Sequence, residues 1–344
     1  MRFHILGTGA VGCHTAFDLG SRHNVTLILR SQRALQDFRN RQSEITYRRV
    51  NESNPGRKGG FNTMIANGGS NDKSNKFTGI MENVIVTTKS QHAKEAVQSI
   101  KSHLSRSSTL VLLQNGMGVA DELLESIWPT PEERLQSPSI ILGVNRHATV
   151  RMEPFSVQHI SGWDNPGDGY FLAALPRPNA FSSFQAEQQH KNQTNAVMQA
   201  FSEIPGLNST TVEWNDLQIR MMRKLVVNCG MNAVTGILES TNGAMIRNPY
   251  GSKLIRQVCE ECAQVLTELN TTADDLYEMV ESTAIKSSET KCTTVQDILA
   301  KRLTEIEYIN GYVIRLAKER NIPVPTNEFL VSLLHAKEHH IHAS

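Results

Sequence analysis

The sequence has no long apolar run, almost no imbalance of charge and few cysteines, and each shortage removes a class of protein. Its longest apolar stretches, such as residues 109–113, are far too short to span a bilayer, so no membrane association is expected. Basic residues number 35 and acidic residues 34, a net charge of +1. That balance gives no support for a nucleic-acid partner, although one local cluster of cations can still hold a small anion. The five cysteines (Cys13, Cys229, Cys259, Cys262 and Cys292) are sparse and odd in number, the usage of a reducing compartment rather than a disulfide scaffold. Cys259 and Cys262 form a C-x-x-C inside a helical pattern, with no second pair to complete a zinc set. Two half-buried helix positions are the preferred reading there, with a redox or metal role as the alternative. No targeting segment stands ahead of the first strand, which begins at residue 2, so the cytoplasm is the expected location.

What is present is a chain of 344 residues, enough for two domains. Arg2–Leu6 reads as a buried strand ended by glycine, Ala10–Leu19 as a helix and Asn24–Leu29 as a second, β-branched strand. This strand–helix–strand unit is the local mark of a parallel α/β sheet, and further strands are expected at 83–87, 109–113 and 139–144. Residues 48–76 are dense in Gly, Asn and Ser. They read as a polar surface excursion, with a basic binding patch as the alternative. After Pro154 the pattern suggests antiparallel strands. From Glu213 to about Lys337 it is helical, broken at Asn242-Gly243, Asn248-Pro249 and 321–325. The expected domains are therefore 1–212, α/β with an insert at 48–76, and 213–344, all helical. His335, His339, His340 and His342 crowd the tail; a metal pair at His335 and His339 is one reading, a frayed polar terminus the preferred one.

The first turn, Gly7-Thr8-Gly9-Ala10-Val11-Gly12, is a G-x-G-x-x-G that follows a strand and opens a helix, the context that makes the pattern specific for a dinucleotide. Gly7 permits the tight turn, Gly9 lets the backbone approach a pyrophosphate and Gly12 lets helix and strand pack closely. The free N–H groups at the helix start favour phosphate. An NAD enzyme usually carries an acid at the end of the second strand; here stands Arg30, followed by Ser31, Gln32 and Arg33. A guanidinium can hold a 2′-phosphate through paired charge-assisted hydrogen bonds, so NADP is the expected cofactor. A plain surface arginine is the alternative.

Several later segments, taken in order, resemble the ketopantoate reductase family, the enzymes that reduce 2-dehydropantoate to pantoate. They are Thr87-Thr88-Lys89, Gln114-Asn115-Gly116-Met117-Gly118, the stretch 223–243 (RKLVVNCGMNAVTGILESTNG) and the stretch 295–314 (VQDILAKRLTEIEYINGYVI). The resemblance implies an N-terminal Rossmann-type domain with a parallel sheet. An all-α C-terminal domain, of the 6-phosphogluconate dehydrogenase C-terminal kind, would complete the active site. It implies NADPH-dependent reduction of a small keto acid, on the path to pantothenate and coenzyme A, by a monomer or homodimer.

Lys224, Asn228 and Asn232 recur every four residues, so a helix places them on one face; a solvated face has the same spacing. The resemblance makes Lys224 the general acid, which suits an ammonium beside a developing alkoxide. It also makes Asn228, Asn232 and Asn242 substrate ligands, although Asn-Gly is equally a helix-ending pair. Glu305 matches the glutamate that binds the substrate hydroxyl and counts with both the catalytic and the cofactor-side residues; an exposed helix acid is the alternative. Lys89 and Asn115 match residues on the nicotinamide side. Thr293 stands where the family commonly has a serine for the substrate carboxylate. Its methyl narrows the pocket, which leaves open another 2-keto acid as substrate. A protein that binds NADPH without catalysis is the remaining alternative, and it has no use for a proton donor.

Overall fold

The computed structural model describes residues 1–66, 79–177 and 184–343, which separate into two compact units. One comprises residues 1–114 and 119–217; the other comprises 115–118 and 218–344.

The first unit starts with β1 (Arg2–Leu6), α1 (Ala10–Leu19), β2 (Asn24–Leu29), α2 (Gln32–Asn40), β3 (Ile45–Arg49), β4 (Gly56–Lys58) and β5 (Asn62–Ile65). There follow β6 (Asn83–Val86), α3 (Ala93–Ser99), β7 (Thr109–Leu112), α4 (Val119–Ile127), α5 (Pro131–Gln136) and β8 (Ser139–Asn145). It ends with β9 (Ala148–Glu153), β10 (Ser156–Ser161), β11 (Tyr170–Ala174), α6 (Phe184–Ser202) and β12 (Thr210–Thr211). Eight strands form one sheet in the order β12-β11-β8-β7-β6-β1-β2-β5, parallel except where β11 runs against β8. Central strands covered on both faces must be apolar throughout. Accordingly Phe3, Ile5, Leu27, Ile85, Val111 and Ile141 are buried in one core with Ala16, Leu19 and Phe201 of the helices. Strand order reverses on either side of β1, so the carboxyl ends of β1 and β6 flank the crevice where such sheets bind ligands.

The polar insert departs from expectation. Its first half is not an unpaired excursion: β5 lies parallel to β2 with Leu27 opposite Thr63, and β4 pairs with β3. Edge pairing is made by main-chain groups, so it needs little apolar surface; Met64 alone of the β5 side chains is buried. Residues 67–76 of the insert lie outside the described residues. A second sheet, β4-β3-β10-β9, packs on α1. Of the strands expected after Pro154, β10 is antiparallel to β9 but parallel to β3.

The second unit is helical: α7 (Trp214–Leu238), α8 (Asn242–Arg247), α9 (Pro249–Val265), α10 (Ala273–Lys286), α11 (Thr293–Leu299), α12 (Asn310–Arg320) and α13 (Pro325–Ala343). α9 meets α8, α10, α12 and α13. Cys259 and Cys262 are therefore not half-buried but wholly enclosed, three residues apart on the face of α9 that enters the core with Cys229. Burial pushes the Cys259 thiol up to about 12, so it is a small apolar group rather than a redox centre. Glu261 sits on the same helix, buried, and its carboxylate accepts hydrogen bonds from the backbone of Thr326 and Asn327 at the start of α13 and from Asn327 Nδ2. Nor is the tail frayed: α13 runs to Ala343, and His335 bonds Glu307 at 2.7 Å and Glu338 at 2.9 Å.

Candidate active site

In the first unit the glycine turn joins β1 to α1. Gly7 has φ +112°, and a β-carbon there would lie 2.6 Å from the Thr88 backbone nitrogen; one at Gly12 would strike the Gly7 carbonyl. Both glycines are demanded by the packing of the turn itself, which Thr87 tightens by donating from Oγ1 to the Gly7 carbonyl at 2.6 Å. Gly9 differs. A β-carbon there would meet nothing within 4 Å, so what it leaves clear is space for a ligand rather than for the protein. Gly9 caps α1 without a side-chain hydrogen bond, and the first-turn N–H groups beside it are free to bind phosphate. Thr8, Ala10 and Val11 line this turn half-buried. The arrangement fits the pyrophosphate of a dinucleotide.

Arg30 follows the last residue of β2 and is exposed, and no carboxylate pairs with it among the described residues. Ser31 caps α2 by accepting from Ala34 N, so Arg30 and Arg33 flank the start of that helix. Lys89, half-buried, follows β6 in a turn that leads into α3.

The second unit gathers the residues from which catalysis was expected. Lys224 lies on α7, and its Nζ donates to Asn115 Oδ1 at 3.1 Å. The other end of that amide, Nδ2, donates to Glu305 Oε2 at 3.3 Å. Asn115 thus bridges an ammonium and a carboxylate with its amide orientation fixed by both. Glu305 is 4% exposed, which removes the reading of a solvated helix acid. Asn228 is half-buried one turn beyond Lys224 and Asn232 buried one turn further, so this face of α7 is not a solvated one.

The bridge exists because the segment Asn115-Gly116-Met117-Gly118 lies flat on residues 305–312. Met117 N donates to the Tyr308 carbonyl at 2.8 Å. Gly116, at φ +79°, approaches so closely that a β-carbon would stand 2.2 Å from the same oxygen. The backbone just before Glu305 is held by a residue that sequence reasoning did not single out. Buried Glu338 of α13 accepts from Thr304 N at 2.7 Å and bonds His335 with its other oxygen. Only its place one turn from His335 hinted at this, and nothing in the sequence marked it as buried.

Asn242 opens α8 instead of ending a helix; Thr241 is the cap, and Asn242 Nδ2 donates to Ser287 at 2.9 Å. Its Oδ1 is buried without a hydrogen bond, an orphan acceptor that a ligand hydroxyl would satisfy. Thr293 is exposed at the first position of α11. Among the described residues, no helix is long and apolar enough to cross a membrane.

Comparison with known proteins identifies the family. Residues 3–165 match the family model described as Ketopantoate reductase PanE/ApbA, and residues 216–338 match Ketopantoate reductase PanE/ApbA C terminal. A probable 2-dehydropantoate 2-reductase of Schizosaccharomyces pombe is 25% identical over 348 residues, covering 96% of this chain and 94% of that protein. Two solved structures share the fold. A PanE/ApbA family ketopantoate reductase of Ralstonia eutropha JMP134 superposes with a TM-score of 0.75 at 22% identity, over 99% of this chain and 100% of that one. A D-mandelate dehydrogenase, solved with NADH and anilino(oxo)acetate, superposes with a TM-score of 0.77 at 20% identity, over 99% of each chain. Matched along both of its units, the chain belongs to the ketopantoate reductase family, which are pyridine-nucleotide oxidoreductases.

Proposed function

We propose that this protein is an NADPH-dependent 2-dehydropantoate 2-reductase, reducing the ketone of 2-dehydropantoate to the alcohol of pantoate for pantothenate and coenzyme A synthesis. The observation that carries the reading is the Lys224–Asn115–Glu305 bridge, a positioned proton donor and a buried hydroxyl acceptor joined through one amide. The glycine turn would hold the pyrophosphate on the first-turn amides of α1, with Arg30 on the 2′-phosphate and Lys89 towards the nicotinamide. NADPH, when bound, supplies the hydride that adds to the carbonyl carbon.

The chain's own residues do the rest. Lys224 Nζ stabilises the negative charge growing on the carbonyl oxygen and transfers one proton to it, so ketone, hydride and proton balance to alcohol. Asn115 keeps that ammonium in place by accepting from it, at the cofactor's side of the reacting carbon. Glu305 accepts from the substrate's primary hydroxyl. Asn228, Asn232 and Asn242 hydrogen-bond the remaining oxygens, with Thr293 at the carboxylate.

The test is absorbance-monitored NADPH oxidation with 2-dehydropantoate, with NADH as control, in the native protein and in Lys224→Ala. Turnover should prefer NADPH and fall about 10²–10⁴-fold in the variant, the usual contribution of a general acid, with NADPH affinity retained. Undiminished turnover in Lys224→Ala would remove the assignment. Turnover confined to a different 2-keto acid, one less branched than 2-dehydropantoate, would favour the second reading, which the narrower pocket expected from the threonine at 293 leaves open.

A further inference from the structure

Three histidines scattered in the sequence converge inside the first unit. His14 comes from the middle of α1, His147 from the connection between β8 and β9, and His159 from β10, and all three are buried. Their ring centroids form a nearly equilateral triangle with sides of 4.4, 4.5 and 4.9 Å. One ligand nitrogen from each ring can be chosen so that all lie within 4.8 Å of one another. We propose that His14, His147 and His159 form a binding site for a dication of the zinc class, a structural staple independent of the reductase chemistry.

The outward sides of two rings are already fixed in the manner of metal-bound imidazoles. His147 Nε2 donates to the Leu207 carbonyl at 2.9 Å, which leaves Nδ1 as a bare lone pair facing inward. His159 Nδ1 is bonded to the Tyr47 hydroxyl at 2.5 Å, which turns Nε2 inward. Those two inward nitrogens stand 3.0 Å apart. Ligands at zinc–nitrogen distances of about 2.0–2.1 Å in a tetrahedron are roughly 3.3–3.4 Å apart, so this pair needs almost no adjustment. Without a metal, the same pair satisfies itself by a nitrogen–nitrogen hydrogen bond.

His14 is what that metal-free account leaves unexplained. It is 0% exposed, and neither of its ring nitrogens makes a hydrogen bond. Leaving a buried polar group unsatisfied is costly, and a coordinate bond removes that cost. Asp18, one turn along α1, lies with Oδ2 3.0 Å from His14 Nε2, close enough for an ion pair yet misaligned for a hydrogen bond; the same oxygen is itself without a hydrogen-bond partner. A small rotation lets Asp18 hold Nε2–H while Nδ1 joins the centre, the carboxylate–histidine pairing found behind metals. It also gives the pocket the negative charge a dication needs. Asp18 has little freedom otherwise, because Gly206 packs so closely that a β-carbon there would lie 2.5 Å from its carboxylate. Nitrogen ligands with a nearby carboxylate suit zinc, and cobalt as its coloured substitute.

The full-length protein, stripped with a chelator and then loaded with Zn²⁺ or Co²⁺, should retain one metal per chain after gel filtration. The cobalt form should show the strong visible bands of four-coordinate ligation. Asp18→Asn should weaken zinc binding about 10–100-fold, as loss of an orienting partner does. His14→Phe should abolish retention, while His339→Ala/His340→Ala in the tail should not. A native protein that holds less than a tenth of an equivalent, or a cobalt form with only pale six-coordinate bands, overturns the proposal whether or not the His14 variant folds. So does metal kept by His14→Phe and lost from the tail variant.

Discussion

The most demanding test of the active-site geometry is a single methyl group, Gly116→Ala. At φ +79° an alanine pays the left-handed penalty, about 1–2 kcal/mol, part of which returns through a stiffer unfolded chain. Its β-carbon would also stand 2.2 Å from the Tyr308 carbonyl oxygen, about 0.8 Å inside the 3.0 Å that real β-carbons keep. The strap formed by residues 115–118 must lift by roughly that amount, which breaks the Met117–Tyr308 hydrogen bond and costs about 1 kcal/mol more. The total is about 2–3 kcal/mol, tolerable for a folded domain. The functional loss should be larger. Asn115 is the neighbour of Gly116, and moving a positioning group by about 1 Å costs on the order of 100-fold in rate. Gly60 supplies the control, since it has φ +81° with nothing within 4 Å of its would-be β-carbon. Gly60→Ala therefore carries the backbone strain without the collision. Steady-state kinetics and thermal denaturation of both variants should show a modest loss of stability in each and a roughly 100-fold fall in kcat only in Gly116→Ala. Native turnover in Gly116→Ala would refute the claim that the strap positions the Lys224–Asn115–Glu305 bridge.

Three further outcomes are expected. Arg30→Ala should raise KM for NADPH by about 10–100-fold, the worth of charge-assisted hydrogen bonds at about 1.5–3 kcal/mol, and leave NADH kinetics unchanged; equal effects on both cofactors would dissociate Arg30 from the 2′-phosphate. Metal-free protein should lose stability in acid. Burial holds the folded pKa values of His147 and His159 well below the unfolded value near 6.5, so the unfolded chain takes up protons first as pH falls. At pH 5.5 each ring costs about 1.4 kcal/mol, about 3 kcal/mol together, and a urea midpoint identical at pH 7.5 and 5.5 would contradict this. Glu261→Ala strands the backbone donors of half-buried Thr326 and buried Asn327 together with the Asn327 amide, so melting should fall by about 10 °C, from a loss of about 3–5 kcal/mol; a fall of a degree or two would mean that water replaces the carboxylate.

The alternation of apolar strand, glycine turn and periodic helix was legible in the sequence because each is a local property of a few consecutive residues. β1, α1 and β2 fall where the pattern places them, as does the change to helix at α7. The polar insert was misread for a physical reason: an edge strand such as β5 is held by main-chain hydrogen bonds, to which composition is nearly blind. The helical spacing of Lys224, Asn228 and Asn232 was visible, but whether that face was wet or buried was not.

What the sequence could not reveal is which distant residues meet. Asn115 is 109 positions from Lys224 and 190 from Glu305, and it follows a strand of the first unit while packing with the helices of the second. A local reading files it with the strand it follows. The histidine cluster is hidden in the same way: no two of its members are closer than 12 positions, whereas the tail histidines, crowded together, drew attention to themselves. Spacing in sequence reports proximity only within one helix or hairpin. Across elements, the better local clue is a glycine forced to φ > 0, because it marks where the backbone must approach something closely. Gly116 is such a residue: it lies against Tyr308, three positions after Glu305, and so explains how Asn115 meets a buried carboxylate 190 positions further along the sequence.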